Sequence, residues 1–367
     1  MPSARLSLAY YLLPICLAAF GGCCFAADKP AKKLIEFGWD EPDTAFMRVH
    51  VAEMEKTPFD GTVFHIKGDA QWKAWGTTAI KEADVRAAVE DLKATRFTRF
   101  TDNFLRVNTA PAKLDWFDDH SVVLANVRLL ARAAKDGGCK GVLFDTEQYE
   151  GQLFDYAKQR DAKTKSWDEY AAQVRRRGRE VMEAYQAGYP DVTIFLTFGY
   201  ALPYQEASYD LKKRAAAHYG LLAPFLDGMV DAAKGKTRVV DGYEQSYGYK
   251  DVTRIPKAYE QMSKGVGPFV GADFKRYGEV FSFGFGVWMD YDWRKKGWDA
   301  RDTSKNFYTP EQFERTVAAA LETADEYVWI YTETPKWWSA EGVPVKLPEA
   351  YDAALRRAAT AAEGKKL

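Results

Sequence analysis

Two acids spaced two apart close an apolar run in Gly141-Val142-Leu143-Phe144-Asp145-Thr146-Glu147. On an extended chain that spacing puts Asp145 and Glu147 on one face. Two carboxyls crowded into one cavity resist double ionisation, so one of them stays protonated. A protonated acid beside an ionised one is the equipment of general acid–base catalysis. Acids close other apolar runs in the same way. Glu244 follows Val240-Asp241-Gly242-Tyr243, Glu333 follows Tyr331-Thr332, Asp290 follows Trp288-Met289, and Asp40 follows Phe37-Gly38-Trp39. The expected catalytic set is Glu147 as the acid, Glu244 or Glu333 as its partner, and Asp145 as a stabiliser. Asp40, Asp241 and Asp290 are expected to contact substrate. Of the pair Asp290 and Asp292, one is expected to serve only binding or solvation, paired with Arg294.

Aromatic residues make up 15% of the chain, with 11 Trp, 21 Tyr and 22 Phe. Trp39, Trp288, Trp293 and Trp337 fall at or just beyond the same run ends as the acids, and Tyr149 follows Glu147 closely. A sugar ring has an apolar C–H face and a polar rim, which a flat ring beside carboxylates matches. Any single large aromatic is ordinarily packing. As a group clustered at one edge, at least two of these tryptophans are expected to line a cleft, which makes a carbohydrate the expected partner.

Other chemistries lack their signatures. Lys and Arg number 51 against 52 Asp and Glu, which leaves no basic footprint for nucleic acid. Gly-x-Ser-x-Gly is absent, so a nucleophile elbow is not expected. The four histidines, His50, His65, His120 and His218, are scattered and form no His-Glu-x-x-His pair. No metal or cofactor is expected, with an all-oxygen Ca²⁺ site left open.

The elements that would position these residues can be read from the pattern. Apolar runs at Leu34–Gly38, Gly61–Ile66, Phe104–Val107, Gly141–Phe144, Val192–Phe198, Thr237–Val240, Val280–Trp288 and Tyr327–Tyr331 read as eight strands. Helical stripes alternate with them. Ser166-Trp167-Asp168-Glu169 and Thr309-Pro310-Glu311-Gln312 are capping boxes. Val123, Val127, Leu130 and Ala134 recur at helical spacing. Strands alternating with helices predict an α/β fold, a single (β/α)₈ TIM barrel with elaborated βα loops over residues 28–358. Such a barrel carries function at the C-terminal ends of its strands, where the acids fall. Residues 359–367 are expected to fray.

Residues 1–27 carry one charge, Arg5, then an apolar run and small residues to Ala27, the pattern of a secretory signal. The run is short for a spanning helix. Gly22-Cys23 leaves a lipid anchor at Cys23 as an alternative. Beyond the leader only Cys139 remains, so no internal disulfide is expected. Beside Gly137-Gly138 it reads as buried packing.

Strand four, Gly141 to Glu147, resembles a reduced form of the chitinase-type signature, in which Asp-x-Glu ends the fourth barrel strand. That resemblance implies Glu147 as the acid and Asp145 as its helper. Val142, Leu143 and Phe144 stand where the signature has further aspartates. The chain also resembles the broader group of barrel glycoside hydrolases. Phe37–Phe64, Val239–Tyr249 and Asp325–Trp338 are similar to an exported bacterial glycoside-hydrolase-like group. The resulting expectation is an exported glycosidase working with two carboxylates. A non-catalytic glycan-binding barrel or an envelope-associated structural protein is the alternative.

Overall fold

The computed structural model describes residues 30–291, 297–339 and 347–364. The leader 1–27, Asp292, Trp293 and Arg294 lie outside the described residues. The barrel occupies the compact unit Ala31–Leu367.

Nine parallel strands form one sheet: β1 (Lys33–Gly38), β2 (Gly61–Phe64), β3 (Phe104–Asn108), β4 (Gly141–Asp145), β5 (Thr193–Leu196), β6 (Arg238–Asp241), β7 (Phe281–Phe283), β8 (Phe285–Trp288) and β9 (Tyr327–Thr332). Neighbours pair in sequence from β1 to β7, and β9 pairs with both β1 and β8. All eight expected runs form strands. The run Val280–Trp288 differs in one respect: it is split at Gly284 into β7, which pairs with β6, and β8, which pairs with β9. The Gly284 N–H donates to the Asp241 carbonyl at 2.8 Å. A Cβ at 284 would sit 2.6 Å from the Tyr327 carbonyl oxygen. A glycine is therefore needed where the chain passes from one neighbour to the next, and that hand-over closes the (β/α)₈ ring.

Side chains alternate along each strand. Ile35, Phe37, Val63, Phe104, Leu143, Phe195, Val240, Tyr327 and Trp329 fill the inside of the barrel as one buried cluster. Phe104 meets Phe195 at 5.4 Å and Tyr327 at 5.6 Å between ring centroids. The barrel is thus a packed core, and its free surface is the mouth at the strand ends. Leu34, Phe64, Val142, Phe144 and Ile194 belong to a second, larger cluster shared with the helices.

Both expected capping boxes form. Ser166 and Glu169 cap the helix Trp167–Gly188, and Thr309 and Gln312 cap Pro310–Thr323. The stripe Val123–Ala134 lies on the helix Ser121–Asp136. Cys139 is buried, and burial pushes its thiol up to about 12. The last helix, Glu349–Gly364, runs on past Ala358 into the segment expected to fray. Ala359 and Ala362 pack against the core there, and alanine favours the helix.

The helix Trp167–Gly188 approaches Leu222–Ala232 through two glycines. A Cβ on Gly178 would lie 1.9 Å from the Phe225 carbonyl oxygen, and one on Gly228 would lie 1.9 Å from that of Arg175. Backbone cannot yield as a side chain does. Gly178→Ala is expected to cost about 1–3 kcal/mol, the scale of overpacking, read as a lower urea midpoint with an unchanged slope.

Candidate active site

Strand parity decides what reaches the mouth. On β3, Arg106 and Asn108 follow Phe104 on the inner face, and on β4 Asp145 follows Leu143. β4 ends at Asp145, so Glu147 stands on the loop beyond it. The loop folds back, and the Glu147 N–H donates to Asp145 Oδ1 at 3.1 Å. The pair converges through that turn rather than through an extended period of two.

Asp145 is fully buried and crowded with donors. Its Oδ2 accepts from Arg106 Nη2 at 3.0 Å, Asn108 Nδ2 at 2.9 Å and the Tyr149 hydroxyl at 2.9 Å. Its Oδ1 accepts from Thr197 Oγ1 at 3.2 Å. Arg106 also donates through Nη1 to Glu41 Oε2 at 2.9 Å. Its guanidinium carbon lies 5.2 Å from the centre of the Phe37 ring and 4.9 Å from that of Trp72. Burial pulls the Arg106 charge down, but Asp145 and Glu41 hold it protonated, well above the ordinary arginine value.

Glu147 is pushed above the usual carboxylate range, first by burial and then by the Asp145 charge. The Arg106 charge opposes the shift. Glu244 is also pushed well above that range, by burial and then by the charges of Glu147 and Asp145, with Arg106 opposing. Its position depends on a strained turn. Tyr243 sits in the left-handed region at φ 43°, ψ 64°, an unfavourable conformation for a bulky residue. The turn is held by Tyr243 N–H on Asp241 Oδ1 at 3.0 Å and by Ser246 Oγ on the Tyr243 carbonyl at 2.8 Å. The Glu244 N–H donates to the Thr197 carbonyl at 3.2 Å, which places this loop beside the hydroxyl that holds Asp145.

Tyrosines surround the acids. Tyr247 feels Glu244 and Glu147, Tyr219 feels Glu147, Asp145 and Glu244, and Tyr331 feels Glu333 and Glu244; each hydroxyl is raised, first by burial. Tyr247 and Tyr331 stack at 5.4 Å, with Trp288 edge-on to both. Glu333 joins the rim through the Tyr331 hydroxyl, which donates to Oε1 at 3.3 Å. Trp39 is 70% exposed, and its indole N–H donates to the Tyr331 hydroxyl at 2.8 Å.

The remaining expected contacts lie elsewhere. Asp241 is buried, and Gly199 has no room for a Cβ, which would lie 2.0 Å from Asp241 Oδ2. Burial pushes it up to about 7, and it serves the turn rather than the mouth. Asp290 is buried and accepts from Glu333 N, Thr334 N and Trp288 Nε1, so it organises the turn that carries Glu333. Trp337 is buried edge-on to Phe59, and its N–H donates to Asp40 Oδ2 at 2.6 Å. Trp337 and Asp40 therefore tie the β9 loop to the β1 loop. Arg106, Glu41, Asn108, Trp72 and Tyr247 belong to the mouth without having been singled out in the sequence. The signal for Arg106 was there: a charge at an inward position of an apolar strand, two residues before an amide.

Among the described residues, no cluster of three or more His, Cys, Asp or Glu could hold a metal ion, and no helix is long and apolar enough to cross a membrane. No protein-family model matches the chain, and no curated protein matches it. Among solved structures it is similar to a GH5-4 broad specificity endoglucanase from an uncultured bacterium, at 15% identity and TM-score 0.49, over 89% of this chain and 86% of the other. It is also similar to an endocellulase from Pyrococcus horikoshii in complex with cellotetraose, at 12% identity and TM-score 0.45, over 90% and 92%. A third similarity is to the DHPS of Yersinia pestis, at 12% identity and TM-score 0.35, over 90% and 93%.

Arg106→Met would leave Asp145 and Glu41 facing each other with no guanidinium between them. Breaking a buried pair in this way costs about 3–5 kcal/mol. In the double variant with Asp145→Asn the loss should be smaller than the sum of the two single losses, measured by urea unfolding.

Proposed function

We propose that the protein is an exported glycoside hydrolase acting on a poly- or oligosaccharide at the barrel mouth. Export rests on the leader pattern of residues 1–27. The observation that carries the catalytic reading is the meeting of Glu147 and Glu244 at one mouth, both tied to Asp145, the first through its N–H and the second through Thr197. Arg106 lies near both acids, and among the described residues no side chain donates a hydrogen bond to Glu244, which faces the charges of Glu147 and Asp145. Two such acids resist double ionisation, and the proton is assigned to Glu244.

This assignment exchanges the roles expected from the sequence. Glu244 serves as the general acid that protonates the glycosidic oxygen. Ionised Glu147 serves the anomeric carbon, as nucleophile or as the base that activates water. The separation of the two carboxyls sets which, and NMR of the first-formed product anomer distinguishes the two. Asp145 touches neither proton transfer; it orients Glu147 and Tyr149 from below. Trp288, Tyr247 and Tyr331 offer ring faces and hydroxyls to a sugar.

Cleavage of a polysaccharide panel, followed as released reducing ends, tests the reading. Glu244→Gln and Glu147→Gln should each lower kcat by about 10²–10⁴-fold, the worth of a positioned acid or base. Retained cleavage by Glu147→Gln would sink the proposal. The pH profile of kcat/KM should be bell-shaped. Activity rises as pH climbs through the raised pKa of Glu147, which must be ionised. It falls as pH passes the raised pKa of Glu244, which must keep its proton. Both limbs lie above the usual carboxylate range, and Glu147→Gln should abolish the acid limb.

A further inference from the structure

The helix layer carries a cavity of about 370 Å³ between the helices Trp167–Gly188 and Leu222–Ala232, closed by residues 211–214 and 268–271. Its volume falls within the roughly 300–1,000 Å³ of small-molecule pockets. None of the acids of the mouth lines it. Ala171, Ala172 and Ala223 leave the room, and the larger walls are Trp167, Leu211 and Phe269. Both rings are held in place. Arg214 lies 5.5 Å over the Trp167 ring, and Phe269 is buried at 4.8 Å from Tyr204.

One polar atom faces this apolar space without a partner. Asp227 is 5% exposed and lines the cavity. Its Oδ1 accepts from the Tyr200 hydroxyl at 2.9 Å, the Gly271 N–H at 2.8 Å and the Ala272 N–H at 3.0 Å. Among the described residues no group donates to Oδ2, which opens on the cavity rather than being sealed in protein. Gly271 keeps it uncovered, since a Cβ there would lie 2.5 Å from Oδ2. A carboxylate oxygen set among apolar walls is short of donors, and a ligand that brings one restores what burial removed.

The surrounding charges decide what kind of donor. Arg175 is committed to Asp231 through Nε at 2.8 Å and Nη2 at 3.0 Å, and to the Gly271 carbonyl through Nη1 at 3.0 Å. Arg179 also donates to Asp231 at 3.0 Å, and Arg214 to Asp168 at 3.3 Å. Arg175, Arg179 and Arg214 thus balance Asp168, Asp227 and Asp231. A cation entering here would upset that balance and meet Arg175 and Arg214 at the walls, and an anion would meet Asp227. A neutral N–H or O–H avoids both. A flat ring suits the aromatic walls, and its rigidity limits the entropy lost on binding. We propose that this cavity binds a small neutral aromatic molecule of the indole or phenol class, its ring against Trp167, Leu211 and Phe269 and its single donor on Asp227 Oδ2. The site does not rest on the glycosidase reading.

The test is calorimetric titration of the full-length protein with indole, N-methylindole, phenol, anisole and tryptamine. Indole and phenol should bind. Removing the donor, as in N-methylindole and anisole, should weaken binding about tenfold, the scale of one hydrogen bond to a charged acceptor. Asp227→Asn keeps Oδ1 for its three donors but turns an amide N–H toward the cavity. It should weaken indole about tenfold and erase the preference over N-methylindole. Leu211 is 40% exposed, so Leu211→Asp should weaken every probe while circular dichroism stays unchanged, and it keeps the test in force if Asp227→Asn does not fold. Equal affinity of the wild type for indole and N-methylindole overturns the proposal. So does tighter binding of tryptamine than of indole, binding unchanged by Leu211→Asp, or no probe bound at millimolar concentration.

Discussion

One guanidinium sets the geometry of the mouth. Arg106 rises from the inside of β3 with its fork divided between Glu41 and Asp145 and its plane against Phe37 and Trp72. A planar fork can bridge two carboxylates from different strands, where an ammonium would offer a point charge. Through Asp145 it fixes β4 and, by way of Tyr149, the loop carrying Glu147. Through Glu41 it fixes the β1 loop. The cost of bringing two acids into a barrel is offset there, at the deep end of the cavity. Higher up, Glu147 and Glu244 receive only part of that positive charge.

The two carboxylates of the Asp-x-Glu run thus hold different offices, though the sequence presents them as a pair. Asp145 accepts bonds from four side chains and one backbone amide, which fix its orientation from both oxygens. Glu147, one turn further on, is held by its backbone and keeps a carboxyl less fully engaged. A barrel strand that ends in a fully bonded acid provides a rigid base for the loop that carries a second one.

The strands were legible because both layers of a barrel are apolar and the runs are punctuated. The site was legible as far as strand ends go, which brought Asp145, Glu147, Glu244 and Glu333 onto one edge. What a strand-end rule lacks is parity relative to the mouth. Asp241 and Glu244 come from one short segment, yet Asp241 faces the helix layer and Glu244 the mouth, because the chain reverses through the left-handed Tyr243 between them. A non-glycine in that conformation carries no sequence mark. Asp290 and Trp337 fall at the correct edge but are consumed by the loops they tie, a result that depends on tertiary contacts across β1, β8 and β9. A lone charge in an apolar strand, such as Arg106, does not by itself separate an inward position from an exposed edge.

The aromatic excess divides the same way. Phe37, Phe104, Phe195, Tyr327 and Trp329 fill the barrel, and Trp75 and Trp116 fill the layer beneath the helices. Large rings inside a barrel raise its floor, since they occupy volume that smaller side chains would leave for a deeper cavity. Trp329 donates its indole N–H to the Gly242 carbonyl at 2.7 Å, so the ring that floors the mouth also grips the turn leading to Glu244. Tyr247 lies 5.1 Å from that ring and continues upward to Trp288 and Tyr331. The rings at the mouth are therefore the top of a column that begins in the core. Their orientation is inherited from close packing, so a sugar meeting them finds surfaces already fixed and loses less entropy on binding than it would against mobile side chains.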